Sequence, residues 1–272
     1  MSRFAQTACS SCEKFFSAIC IALIALVQSQ EASATSKPSA VELTAITDRG
    51  RMLAEYDTAA WQATDALMAA YPKTEPSGRY IAHKSPAGWV VDFGRLNPSG
   101  DKFLVVYEAI QADSQYKVRN FNPAREDVSW NLAAAKGIEA AMGDFGKTGR
   151  PYNVAALPIT TGSLYVYLYP AQVKADVYPL GADVRYRLSS DGTKIEEKRP
   201  LHRTVIEYAG PAGTAEKAAG GYHTHVLTDL PEDTDVLLVL TRQPRVPEVV
   251  GAGSHMYTIA VDGTITVANR PR

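Results

Sequence analysis

Two histidines one residue apart, His223 and His225, are the side chains of this sequence best suited to chemistry. On a strand, alternate side chains share a face, so both imidazoles would project to one side and could hold one metal ion. Acidic residues follow at Asp229, Glu232, Asp233 and Asp235, any of which could supply a carboxylate ligand. A hydrolytic zinc centre of this kind needs neutral imidazoles, a carboxylate, an open position for water, and a base. The competing reading turns Thr224 to the core and leaves both imidazoles in solvent or against a neighbouring strand. On residue types alone that second reading is preferred, because His-x-His is a common tripeptide.

His202 opens a segment, Leu201–Tyr208, expected as a strand whose even positions share a face. It would complete a three-histidine site if that strand paired with Tyr222–Leu227. His83 and His255 stand apart in sequence. A different chemistry is offered by Tyr165, Tyr167 and Tyr169, which alternation also places on one face. Exposed, they form a possible binding face for a glycan or a protein partner. Covered by a helix, they are core, and tyrosine's fit to sheets favours the covered arrangement. No G-x-S-x-G elbow, phosphate loop or dinucleotide fingerprint is present, and the remaining carboxylates are scattered.

The segment from His223 to Asp235 resembles the signature of JAMM-type metalloproteases. There, two histidines one residue apart precede a serine and an aspartate ligand, and an upstream glutamate is the base. The resemblance implies Zn2+ held by His223, His225 and Asp235, with Glu207 as the catalytic base. Asp235 falls one residue short of that spacing, and Glu232 occupies the serine's place. The family carries its aspartate on a helix, whereas Val236–Thr241 reads here as a strand.

The elements that must position these residues follow from periodicity and punctuation. A helix is expected from Asp48 to Ala70, ended by Pro72, and a second from Asn122, as cap, to Gly146. Strands are expected at Tyr80–His83, Trp89–Phe93, Phe103–Ala109, Tyr152–Ile159, Ser163–Tyr169, Val184–Leu188, Ile195–Arg199, Leu201–Tyr208, Tyr222–Leu227, Val236–Thr241, Tyr257–Val261 and Thr264–Ala268. Helix, strands, helix, then many strands predict an α+β fold with a largely antiparallel sheet, two principal helices and a strand-rich C-terminal half.

Residues 1–34 read as a signal peptide. Arg3 and Lys14 precede an apolar run, Phe15–Val27, and Ala32-Ser33-Ala34 is a small-x-small cleavage site. That run is shorter than the roughly 20 residues of a membrane-crossing helix, so no transmembrane span is expected after cleavage. Residues 35–47 are expected to be a flexible tether and 48–272 a single domain, with a possible subdivision near 122–150. All three cysteines (Cys9, Cys12, Cys20) fall in the leader, so the mature chain would have no disulfide. A net charge of −1 argues against a nucleic-acid partner. The phrases EYDTAAWQATDAL, GWVVDFGRL, PLGADVRYRLSSDG and PEDTDVLLVLTRQPRVPEVV resemble uncharacterised exported bacterial proteins, which implies a periplasmic or secreted location. The favoured expectation is a non-enzymatic binding or envelope-associated domain, with an envelope protein or glycan as partner and no cofactor. The alternative is a zinc-dependent hydrolase.

Overall fold

Ser39 accepts a hydrogen bond from the Glu42 amide, and the Glu42 carboxylate accepts one from the Ser39 amide, which fixes where the first helix begins. Helix α1 runs from Ala40 to Ala70 in the computed structural model, which describes residues 38–73, 78–209 and 219–269. Residues 40–47, expected as tether, are therefore helical. The Ser-x-x-Glu capping box was the signal, and Leu43, Ile46 and Gly50 extend the buried stripe of Leu53, Tyr56, Ala60, Ala63 and Leu67. The leader, residues 1–34, lies outside the described residues.

Four strands follow as an antiparallel meander: β1 (Arg79–Ser85), β2 (Gly88–Leu96), β3 (Phe103–Ala112) and β4 (Gln115–Asp127). β4 was not expected, and it contains Asn122 and Pro123, which were assigned to a helix start. The strand lies at the sheet's edge, where a proline need not donate to a neighbour. Register jumps there from Tyr107↔Asn120 to Val105↔Arg125, so residues 121–124 bulge out of the ladder. Helix α2 therefore begins later, at Trp130, and ends at Phe145. Its Ala135 and Ile138 are buried as expected, while Val128 is exposed.

The remaining chain is mostly strand. A second antiparallel sheet has the order β5 (Tyr152–Pro158), β6 (Leu164–Pro170), β8 (Val184–Leu188), β9 (Ile195–Pro200). A two-stranded ribbon pairs β7 (Val177–Leu180) with β10 (Ile206–Ala209). The last sheet joins β11 (Gly221–Thr224), β12 (Glu248–Ala252), β13 (His255–Ile259) and β14 (Ile265–Asn269). Among the described residues only β11 and β12 run parallel, and a parallel pair requires a crossover, here carrying helix α3 (Asp233–Thr241). The fold is thus α+β with largely antiparallel sheets and a strand-rich C-terminal half.

Helix α3 corrects the strand expected at Val236–Thr241. Val236, Leu237, Leu238 and Val239 are all buried, so the segment shows no polar face and its apolar run carries no helical period. α3 is wedged against α1 so closely that a Cβ at Gly50 would meet Val236 Cβ at 2.4 Å. Val236 and Val239 join Leu43, Ile46, Val250, Tyr257 and Ile259 in one core between the helices and the last sheet. Two further cores lie between α1 and the first two sheets and under α2. No helix among the described residues is long and apolar enough to cross a membrane.

Candidate metal centre

Three separate segments, a loop, a strand end and a helix start, bring their side chains to one point. His223 lies on β11 and His225 one residue beyond its end, so the alternation of an extended chain sends both imidazoles to the same side. Thr224, between them, is exposed, which reverses the arrangement preferred from sequence. Asp235 sits in the first turn of α3, where its carboxylate also accepts the Glu232 amide at 2.7 Å as half of a capping box. Asp233, two residues earlier, points elsewhere. It is wholly buried and bonded to Arg49, Tyr167 and Arg185 at 2.6–2.9 Å, anchoring the helix start to α1 and the second sheet.

His202 arrives by a loop between β9 and β10, not by a strand paired to β11, since β10 pairs with β7. The Gly181–Ala182 turn presses on this loop. Gly181 has φ +104°, and a Cβ there would meet the Thr204 carbonyl oxygen at 2.1 Å.

His202 Nε2 is 3.0 Å from His225 Nε2 and 3.0 Å from Asp235 Oδ1. His223 Nε2 is 3.2 Å from His225 Nε2 and 3.1 Å from Asp235 Oδ1. Four atoms joined in a ring by such edges lie about 2 Å from their common centre, flat or puckered, which is the bond length of zinc to imidazole or carboxylate. The four side chains are only 0–9% exposed.

The outward nitrogens explain why the inward ones converge. His202 Nδ1 is 2.8 Å from Asp183 Oδ1, His223 Nδ1 2.8 Å from Glu248 Oε1, and His225 Nδ1 2.8 Å from the Leu230 carbonyl. Carboxylates and a carbonyl only accept, so each Nδ1 carries a proton and each Nε2 of a neutral ring offers a lone pair inward. Glu248 is itself fixed by the Tyr208 hydroxyl at 2.8 Å and Arg242 at 2.8 Å. Lone pairs facing one another at hydrogen-bond distance require a cation or a proton between them.

The electrostatics agree. Burial opposes charge on His202, but Asp183 and Asp235 outweigh it and raise its pKa to about 11. Burial likewise opposes charge on His223, and bonds to Asp235 and Glu248 lift it to about 9. Burial disfavours the Asp235 carboxylate too, yet His202 and His225 hold it well below the usual range.

Among the other expected site residues, Glu207 lies on the face of β10 opposite Tyr208 and approaches Arg150 at 3.5 Å, so it does not serve the cluster. The tyrosine row takes the covered arrangement favoured from sequence. Tyr167 and Tyr169 are buried beneath α1, their hydroxyls donating to Asp233 and Asp57, and Tyr165 lies under the Arg185 guanidinium. His83 on β1 and His255 on β13 are not part of the cluster. Sequence reasoning missed Asp183, Tyr208 and Glu248, because acids and phenols that orient ligands from other strands carry no local pattern. Compared with protein-family models, curated proteins and solved structures, the chain gives no match, so the functional argument rests on the geometry of this site.

Proposed function

We propose that this protein binds one transition-metal ion, with zinc the best chemical match, between His202, His223, His225 and Asp235. The observation carrying the proposal is that all three histidines are tethered through Nδ1 to acceptors and aim Nε2 at one carboxylate. Imidazole and carboxylate ligands converging within 4.8 Å of one another suit zinc, which has no geometric preference of its own. Four protein ligands with little exposure describe a closed centre. The ion would clamp the His202 loop, β11 and α3, so its main contribution is to hold the final sheet against the rest of the domain.

Elemental analysis of the purified full chain, as isolated and after zinc loading, tests this. One zinc per chain, lost in His223→Ala/His225→Ala, is the expected result. Loaded wild-type protein that retains no metal after gel filtration would overturn it.

A second reading, zinc-dependent hydrolysis, is favoured by the helical setting of Asp235 and by a surface cleft of about 540 Å³ beside His225. It requires water to take the place of His202, and it lacks its expected base because Glu207 faces Arg150. Metal-dependent cleavage of a peptide panel by the wild-type chain, absent in the double variant, would support it.

Export, proposed from residues 1–34, fits the same picture. Cleavage after Ala34 would remove every cysteine, leaving a metal ion to do the cross-linking that disulfides perform in other exported domains. N-terminal sequencing of the secreted form should begin at Thr35.

A further inference from the structure

Behind the metal centre lies a cavity of about 510 Å³, a size that suits a small molecule. Asp57 and Trp61, one turn apart on α1, form one side of it; Tyr178 and Asp183 form another; Thr234 and Leu237 of α3 close it. Trp61 is 54% exposed. The described lining contains two carboxylates and several aromatic or aliphatic groups, but no lysine, arginine or histidine.

Two polar atoms here have no partner among the described residues. Asp183 is 1% exposed; its Oδ1 binds His202, while its Oδ2 is unbonded. Thr234 is 2% exposed and its hydroxyl is likewise unbonded. Buried acceptors of this kind are costly unless a donor reaches them. Asp57 takes bonds from Tyr169 at 2.7 Å and Asn153 at 3.4 Å, both on Oδ1. Burial nevertheless raises its pKa, as expected of a carboxylate with no adjacent cation.

From the two carboxylates, the unbonded buried oxygens and the aromatic lining, we infer that this cavity binds a small organic ammonium ion with an apolar body. The ammonium donates to Asp183 Oδ2, Thr234 and Asp57, and the body packs on Trp61, Tyr178 and Leu237. A neutral polyol would satisfy the acceptors but leave the Asp57 charge unmatched, and an anion would meet two carboxylates.

The test titrates the full chain with three probes of one shape: phenethylamine, 2-phenylethanol and phenylacetate. It is run by calorimetry on zinc-loaded and on chelator-treated protein, so that loss of the metal reading leaves the cavity's result readable. Phenethylamine should bind at least about tenfold tighter than 2-phenylethanol in the loaded form, and phenylacetate should not bind. Asp57→Asn should weaken the amine while leaving the alcohol unchanged, and Thr234→Val, which removes an acceptor, should weaken the amine. Asp183→Asn should do so more strongly, because the amide cannot receive the ammonium with a charge. Should Asp183→Asn fail to fold, the other two variants carry the test. Equal binding of the three probes, no amine binding in either form, or wild-type amine affinity in Asp57→Asn would overturn the inference.

Discussion

A proton and a metal ion compete for the space between the three Nε2 atoms, and this sets the behaviour of the site with pH. The folded values of about 9 for His223 and about 11 for His202 lie above the ordinary 6.5. Raised histidines stabilise the fold fully below about pH 6.5, and that stability is lost as pH climbs through the folded values. The metal-free protein should therefore unfold at lower urea at pH 9 than at pH 6. Zinc should narrow the difference, because the cation replaces the protons. A metal-free midpoint unchanged or higher at pH 9 would contradict this. By the same linkage, zinc affinity measured against a competing chelator should rise with pH, by up to about tenfold per unit for each proton displaced. Asp183→Asn should weaken zinc binding by about 10–100-fold, since the amide holds the His202 ring less firmly in its ligating tautomer.

At the level of elements, the close crossing of α1 and α3 decides whether Asp235 reaches the histidines. The Gly50 position leaves no room for a methyl group, with Val236 Cβ at 2.4 Å and the Asp233 carbonyl at 2.7 Å. Gly50→Ala improves helix propensity by up to about 1 kcal/mol but forces two packed helices apart, at about 1–3 kcal/mol. Net destabilisation in urea, together with weaker zinc binding, is the expected outcome; unchanged binding would mean that α3 does not depend on this crossing. The elements also show why periodicity succeeds in places and fails in others. α1 reads clearly because Leu53, Tyr56, Ala60, Ala63 and Leu67 recur at three- and four-residue spacing and are all buried. α3 does not, because Val236–Val239 are enclosed on every side and helix and strand then share one apolar signature. Pro123 reads as a helix start by composition, yet edge position and a bulge place it in β4.

Across the whole molecule, the proposed ion joins a loop after the second sheet, the first strand of the last sheet and a helix packed on α1. Metal binding to the folded state alone should add about 2.7 kcal/mol at a free zinc concentration 100 times Kd. For a domain of this size the thermal midpoint should move by about 5–10 °C between zinc and excess chelator. A shift confined to the His225 region in hydrogen exchange, with no change in midpoint, would show that the ion does not tie the sheets together.

The sequence by itself determined the α+β class, the helix ended by Pro72, most strands, and the pairing of His223 with His225 on one face. These are local matters of period two, period 3.6 and turn chemistry. It also offered Asp235 as a candidate through proximity. The sequence also named His202 as a third histidine, conditional on a strand pairing that does not form, and favoured a covered tyrosine row; only the tertiary structure brought His202 in by a loop and supplied the outer partners Asp183, Tyr208 and Glu248. The physical reason is that a ligand set is defined by distances near 3 Å between side chains from different elements. Those distances are fixed by packing, through contacts such as Gly50 on Val236 and Gly181 on the His202 loop, and packing leaves no periodic trace along the chain.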